Sequence, residues 1–287
     1  MPGFLECVIN VSEGRDADRL AGLARAAGAT LLDVHTDADH HRSVLTLCGP
    51  HPPGSGPSVQ DAARAVARQA VAAIDLGRHS GAHPRFGAVD VVPWVALSGW
   101  PLQPGDLAVA TGARDAFARW AGRELGLPAF LYGPERSLPD VRRGAWRSLE
   151  PDEGPPRPHP TAGAVAVGAR PALVAYNLWL AEADLDRARR VAAGLRGPQL
   201  RTLGIPVGSA VQVSCNLIDP WQLGPGAVYD AVAARVEVGR AELVGLLPRS
   251  VLDAEPRHRW AELGLDGSAT IEARLERAGL DGGSFGL

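Results

Sequence analysis

The chain has 287 residues, 46% of them hydrophobic and 21% charged, which fits one large or two medium folded domains and excludes a disordered chain. All 29 basic residues are arginine. The missing lysine removes Walker-type phosphate loops, protein-kinase chemistry and Schiff-base chemistry, each of which needs an ε-amine. A formal net charge of −3 argues against a general nucleic-acid binder. Three cysteines without a CxxC pair (Cys7, Cys48, Cys215) argue against a disulfide scaffold or a thiolate zinc site. The start, Met1–Glu6, lacks the basic and apolar regions of a signal peptide, and no apolar run approaches the roughly 20 residues of a membrane span. The expectation is a soluble, cytoplasmic protein.

Leu5–Asn10 reads as a strand, followed by the polar turn Ser12-Glu13-Gly14. Ala17–Ala27 carries apolar residues at helical spacing, and Leu31–Val34 and Ser43–Leu47 read as strands around the polar stretch Thr36–Arg42. Ser58 is placed to cap a helix running through about Ile74. Val89–Val95 has the β-branched run of a buried strand, Asp106–Leu125 reads as a long amphipathic helix, and Ala129–Tyr132 as a short strand. Pro151, Pro155, Pro156, Pro158 and Pro160 then interrupt regular structure, and the stretch reads as an interdomain linker. Beyond it Ala164–Val167 and Leu173–Leu180 read as strands and Asp184–Leu195 as a helix capped by Asp184. Ala210–Leu217, a helix near Ala227–Val236, the strand Glu242–Leu247 and a helical tail through about Arg277 complete the chain. Alternating strands and helices give an α/β (α+β) architecture in two units, 1–163 and 164–287, with no internal repeat evident in the sequence.

The densest group of reactive side chains is Arg78-His79-Ser80-Gly81-Ala82-His83-Pro84-Arg85-Phe86-Gly87. Histidines at i and i+4 fit a metal-binding helix, but Gly81 and Pro84 disfavour that helix and its glutamate is missing. Two readings stay open: a loop histidine bonded to the backbone, or an imidazole that moves protons between a nucleophile and a leaving amine. The group Asp37-Ala38-Asp39-His40-His41-Arg42 is either a solvated turn or a carboxylate and guanidinium presented at strand ends. No nucleophile elbow or dinucleotide fingerprint occurs in the required strand-to-helix context.

These segments resemble the glutamate formiminotransferase family. Glu6–Gly14 is similar to its ECVPNxSEG opening, and His79–Trp94 to its HxGEHPRxGAxDVxPF signature. Leu131-Tyr132-Gly133, Gly168-Ala169-Arg170, Ala175-Tyr176-Asn177, Gln212–Asp219 and Glu242–Leu246 follow the family's remaining segments in order. The resemblance implies two subdomains, each a mixed β-sheet with helices on its outer face, with a ligand tunnel between them. It implies transfer of the formimino group from N-formimino-L-glutamate to tetrahydrofolate as co-substrate, with no metal, by a homodimer serving histidine degradation and one-carbon metabolism. It makes His83 the acid/base residue, matches Asp39 and Arg42 to a polar substrate loop, and matches Gly154, Pro155, Pro156, Arg157, Pro158, His159, Pro160, Thr161, Ala162 and Gly163 to a folate-contacting loop.

Both substrates carry carboxylates, and arginine is the fixed cation available to hold them, so Arg42, Arg78, Arg85 and Arg170 are the substrate-binding candidates. The pattern departs from the family at Ala82 (for Glu), His41 (for Asn), Trp179 (for Asn) and through the 154–160 loop. The chain ends without a cyclodeaminase domain, so the transferase step alone is expected. Two alternatives accompany this reading: an enzyme of related fold using another amidine or one-carbon donor, and a non-catalytic folate-binding protein. The partners expected are small molecules, with neither nucleic acid nor membrane.

Overall fold

The computed structural model describes residues 3–54, 56–81 and 85–281. Its first part runs β1 (Gly3–Val11), α1 (Ala17–Ala27), β2 (Leu31–Asp37), β3 (Arg42–His51), α2 (Val59–Ala73), β4 (Val89–Ser98), β5 (Gln103–Pro104), α3 (Leu107–Glu124), β6 (Ala129–Tyr132), α4 (Leu138–Gly144) and β7 (Val165–Ala169). The helices begin where capping side chains absorb the first amide groups. The Asp16 carboxylate accepts from Asp18 N at 3.1 Å and Arg19 N at 3.0 Å, Ser58 Oγ from Asp61 N at 3.2 Å, and Asp106 from Ala108 N at 2.9 Å. The sheet order is β2-β3-β1-β4-β7-β6, with β5 paired to β4. The β1–β3, β1–β4 and β2–β3 pairs are antiparallel, whereas β7 runs parallel to both β4 and β6. Leu5, Cys7, Ile9 and Val11 of β1, with Val89, Val92 and Trp94 of β4, pack against Val66, Ala67 and Ala70 of α2 and Phe117 and Ala121 of α3. A separate cluster joins Val91, Phe130, Tyr132 and Ala166 to Val141 and Ala145 of α4 and the residue after it.

The second part runs β8 (Val174–Leu180), α5 (Leu185–Leu195), β9 (Leu200–Val207), β10 (Ala210–Leu217), α6 (Pro225–Ala233), β11 (Val238–Val244), α7 (Arg249–Asp253) and α8 (Ile271–Ala278). Its sheet order is β11-β8-β10-β9. Val174, Tyr176, Leu178, Val213 and Cys215 pack with Ala188 and Val191 of α5 and Val228 and Val232 of α6. The Asp184 side chain caps α5 by accepting from Arg187 N at 2.8 Å.

Three features differ from the sequence expectations. A repeat is present in topology: β1-α1-β2-β3-α2-β4 and β8-α5-β9-β10-α6-β11 both order their strands fourth, first, third, second, the split βαβ arrangement of ferredoxin-like units. The second sheet is wholly antiparallel rather than mixed, because β10 inserts between β8 and β9 and leaves no parallel neighbours. Finally, the strand begun at Ala164 lies in the first sheet between β4 and β6, where its valines are buried. The compact units therefore divide at Arg170–Pro171 rather than after Gly163, and the proline-rich stretch belongs to the first unit. Residues 100–103 join the second unit, where Leu102 N donates to the buried Glu272 carboxylate at 2.8 Å. Among the described residues no helix is long and apolar enough to cross a membrane.

Candidate functional site

The turn after β1 is organised by Glu13, which is 1% exposed. Its Oε1 accepts from Gly14 N at 3.0 Å, Arg15 N at 2.9 Å and Asp16 N at 3.0 Å, and its Oε2 from Arg19 Nη1 at 3.0 Å. Burial pushes this carboxyl upward, but the Arg15 and Asp16 amides, the Arg19 guanidinium and nearby His41 outweigh it and hold it below its ordinary value. Gly14 is required for space, since a Cβ would lie 2.3 Å from Asp37 O and 2.6 Å from Arg42 N. Glu13 thus fixes the β1 turn against the β2–β3 turn.

The Gly14 amide is shared with the β2–β3 turn, donating to His41 Nδ1 at 3.0 Å. His41 has φ 52, in the left-handed region that few side chains tolerate. Its ring stacks on His79, with centroids 4.0 Å apart and an interplanar angle of 27°. Arg85 Nη1 contacts His79 Nδ1, and Arg85 Nη2 donates to Gly81 O at 2.5 Å. His41 Nδ1 accepts the Gly14 amide, which leaves the neutral ring its proton on Nε2. The buried His79 Nε2 atom has no hydrogen-bond partner among the described residues. Burial leads the depression of both imidazoles below their ordinary value, and Arg85 adds to it in each. Gly81 locks the two segments together, since a Cβ there would lie 2.6 Å from His40 O and 2.7 Å from His41 Cβ. The two polar clusters that look separate in sequence are therefore one site.

A guanidinium cluster lies around the first sheet's β1, β4 and β6. Arg42 Nη2 contacts Asn10 Oδ1, and Asn10 Nδ2 donates to Val8 O at 2.9 Å. Asp90, on β4 and 1% exposed, accepts Phe86 N at 2.5 Å and Arg142 Nη2 at 2.7 Å. Burial lowers Arg42 from its ordinary value, Asp90 opposes that shift, and Arg142 adds to it, so all three groups sense one another. Burial pushes the Tyr132 phenol up to about 12 against the Arg170 guanidinium, which hydrogen-bonds it. Arginines 42, 142 and 170 thus join Tyr132, Asp90 and Asn10 in one polar, partly buried network.

The description that matches this chain is the N-terminal subdomain of the formiminotransferase domain, over residues 4–170. The chain belongs to the formiminotransferase family. It is 34% identical to the glutamate formimidoyltransferase of Streptococcus pyogenes serotype M1, over 88% of this chain and 91% of that protein. The enzyme of the same name from Thermoplasma acidophilum is 30% identical over 96% of this chain and 98% of its own length. The formimidoyltransferase-cyclodeaminase of Gallus gallus is 33% identical over 98% of this chain, which spans 57% of that longer protein. The reaction class is formimino transfer, and the chain is a formimidoyltransferase.

Within this formiminotransferase unit, the sequence candidates fall into distinct places. Arg42, Arg85 and Arg170 lie in the polar networks, whereas Asp39 is exposed in the β2–β3 turn and Arg78 is exposed at the end of a short 3₁₀ turn. His83, with Ala82 and Pro84, lies outside the described residues. The 154–163 stretch is anchored at both ends and exposed through Pro156, Arg157 and Pro158. Its first end abuts α3, where a Cβ on Gly154 would lie 2.9 Å from Gly122 Cα. At its second end His159 and Gly163 exchange backbone bonds of 2.7 and 3.0 Å, Thr161 O accepts Leu76 N at 2.8 Å, and Ala162 O accepts Ala88 N at 2.9 Å. The loop's second end is thereby hydrogen-bonded to residues on both sides of the 79–87 segment.

Sequence reasoning missed Arg142 and the pairing of His41 with His79. Arg142 rides on a seven-residue helix whose only sequence signals are Ser137 and Asp140, a capping box, with Pro139 at its start. An open groove of about 380 Å³ beside α4 is lined by Arg136, Asp140, Arg143, Gly144, Ser148 and Leu149. Its charges are taken up in the Arg136–Asp152 and Arg143–Asp140 pairs, so it is a weaker candidate. Among the described residues no group of three or more His, Cys, Asp or Glu is arranged to hold a metal.

Proposed function

We propose that this enzyme transfers the formimino group from N-formimino-L-glutamate to tetrahydrofolate, releasing glutamate and 5-formiminotetrahydrofolate. The observation that carries the reading is the merging of the Asp37–Arg42 turn with the 79–87 segment, through Gly81 against His40 and His41, beside a cluster of arginines. His83 is the general acid/base. It takes the proton from the folate nitrogen that attacks the amidine carbon and returns it to the glutamate nitrogen as that C–N bond breaks. A neutral imidazole can do both in turn, and the flanking Arg85 disfavours a second positive charge nearby. Arg42, Arg85 and Arg170 hold substrate carboxylates, with Asp39 and Arg78 at the exposed rim. The 154–163 loop forms the folate wall, and holding both substrates together supplies much of the rate gain. On this reading the enzyme is cytoplasmic and homodimeric and serves histidine degradation and one-carbon metabolism.

The test is purified protein with tetrahydrofolate and N-formimino-L-glutamate. Stoichiometric glutamate and 5-formiminotetrahydrofolate are expected. Tight folate binding without product from this or another amidine donor would instead identify a binding protein. Turnover with a different donor alone would move the substrate assignment.

A further inference from the structure

We infer that His41 is a positioning residue of the transferase: its neutral imidazole ties the turn after β1 to the 79–87 segment, and protonation undoes that tie. The inference rests on the reading of that segment as the carrier of the acid/base residue. His41 stands between β2 and β3 at φ 52, a left-handed backbone that few side chains adopt and that its surroundings must hold in place. Its Nδ1 accepts the Gly14 amide at 3.0 Å, and its ring stacks on His79 with centroids 4.0 Å apart. One side chain thus joins two segments far apart in sequence, the turn after β1 and the stretch that follows α2.

The far side of the tie is closed on itself. Arg85 contacts His79 Nδ1 and donates to Gly81 O at 2.5 Å, which draws together the described residues on the two sides of 82–84. Gly81 packs on the same turn as His41, where a Cβ would lie 2.6 Å from His40 O and 2.7 Å from His41 Cβ. Just before the segment Leu76 N donates to Thr161 O at 2.8 Å, and just after it Ala88 N donates to Ala162 O at 2.9 Å. Those backbone contacts do not change with pH. The imidazole pair is the part of the hold that titrates.

The groups around His41 favour the neutral ring. Glu13 Oε1, 3.5 Å from Nδ1, is the carboxylate that favours a cation there, but it is already committed to the amides of Gly14, Arg15 and Asp16. Against it stand burial and the guanidinium groups of Arg15 in the same turn, Arg19 on α1 and Arg85 beyond His79. On its own turn are the exposed Asp39, Arg42 next in the chain, and His40, whose Nδ1 lies 2.8 Å from Asp37 Oδ2. A proton on His41 Nδ1 would set one N–H against the Gly14 N–H and leave a charged ring stacked on His79. His41 is held below its ordinary 6.5, so the tie persists at neutral pH and is lost as pH falls through the folded-state value.

The test compares wild type, His41→Asn and His41→Ala, each checked by thermal melt. Asparagine tolerates the left-handed backbone and offers the Gly14 amide a carbonyl that does not titrate, whereas alanine offers no contact. With N-formimino-L-glutamate and tetrahydrofolate at about pH 8, His41→Ala is expected to lower kcat about 10-fold or more, with both KM values within about 3-fold. His41→Asn is expected to recover kcat to within about 3-fold of wild type, with an acid limb of kcat less steep than wild type's by one protonation. In NMR titrations the Gly14 amide shift follows the His41 midpoint in wild type, and that step is absent in His41→Asn. Wild-type kcat in His41→Ala, a His41→Asn as impaired as His41→Ala, acid limbs of equal steepness, or a Gly14 amide indifferent to His41 overturns the proposal. If His41→Ala does not fold, the acid limb of His41→Asn decides alone. Wild type without turnover refutes the proposed reaction; the Gly14 step then decides the tie, its presence upholding it and its absence refuting it.

Discussion

The two units share a strand order and differ in what their sheets are asked to bury. In the second, β8 alternates buried and half-buried residues along its whole length, the mark of an antiparallel strand with helices on one face. In the first, β4 is buried on both faces from Val89 to Leu97, because β7 and β6 extend the sheet in parallel and α4 packs over them. That extension brings in the side chains on which the candidate chemistry depends: Asp90 on the doubly buried strand, Tyr132 at the end of β6, Arg142 on α4 and Arg170 after β7. One topology thus appears once as a plain scaffold and once as a scaffold with an added wing that carries charge.

The same contrast holds for two buried glutamates. Glu13 in the first unit receives three backbone amides and Arg19, and its carboxyl is held below its ordinary value. Glu272 in the second is fully buried and is fixed by Leu102 N at 2.8 Å and Arg249 N at 2.7 Å. There burial wins and the carboxyl is raised. In both, burial is the largest upward influence; at Glu13 the amides, the hydrogen-bonded Arg19 guanidinium and His41 together outweigh it, and at Glu272 the amides and the charge of Arg249 do not.

Substitutions can break this comparison. The largest effect is expected from Gly87→Ala, whose Cβ would lie 1.8 Å from the Ala164 carbonyl oxygen where β4 meets the loop before β7. A loss of about 3 kcal/mol or more is expected in chemical denaturation; a variant as stable as wild type would show that the wing is loosely attached. Next, Glu13→Gln removes the charge on four hydrogen bonds and is expected to lower stability at pH 7 by about 1.5–3 kcal/mol, against less than about 1 kcal/mol for Glu272→Gln. Equal losses would remove the contrast between the two carboxylates.

Tyr176→Phe deletes the hydroxyl that donates to Leu263 O at 2.7 Å. About 1 kcal/mol of stability should go, with formimino transfer unchanged, since this contact belongs to the scaffold unit.

The smallest effect is in pH. The folded-state values of His41 and His79 lie below the ordinary 6.5, so the unfolded chain binds protons first and stability falls as pH drops below about 6.5. Glu13, also depressed, extends the loss below its ordinary 4.5, whereas Glu272, raised, gives stability at acid pH that is lost as pH rises through its folded value. His41→Asn should flatten the upper part of the curve by a fraction of a kcal/mol, measured by denaturation between pH 7.5 and 5. An unchanged slope there would remove His41 from the account.

Much of the frame was legible in sequence because it rests on local signals. Helix α1 begins and ends where the apolar spacing placed it, and Ser58 and Asp184 cap their helices as expected. Strand β9 was missed because Arg201, Leu203 and Pro206 leave it exposed at a sheet edge and free of an apolar run. The Ala164 strand was read as opening the second unit because prolines look like a linker locally, whereas its parallel pairing with β4 spans some 75 residues of sequence and has no local signature. The site shows the same divide. Arg42, Arg85 and Arg170 sit in motifs, but nothing in the chain order announces that His41 would stack on His79 or that Asp90 would hold Arg142.

The measurement closest to the central claim is the turnover of N-formimino-L-glutamate and tetrahydrofolate by wild type and His83→Ala, read as glutamate and 5-formiminotetrahydrofolate formed. Wild-type turnover that falls by about 10²- to 10⁴-fold in kcat, with an unchanged thermal melt, is the predicted result. Full activity in His83→Ala would contradict it.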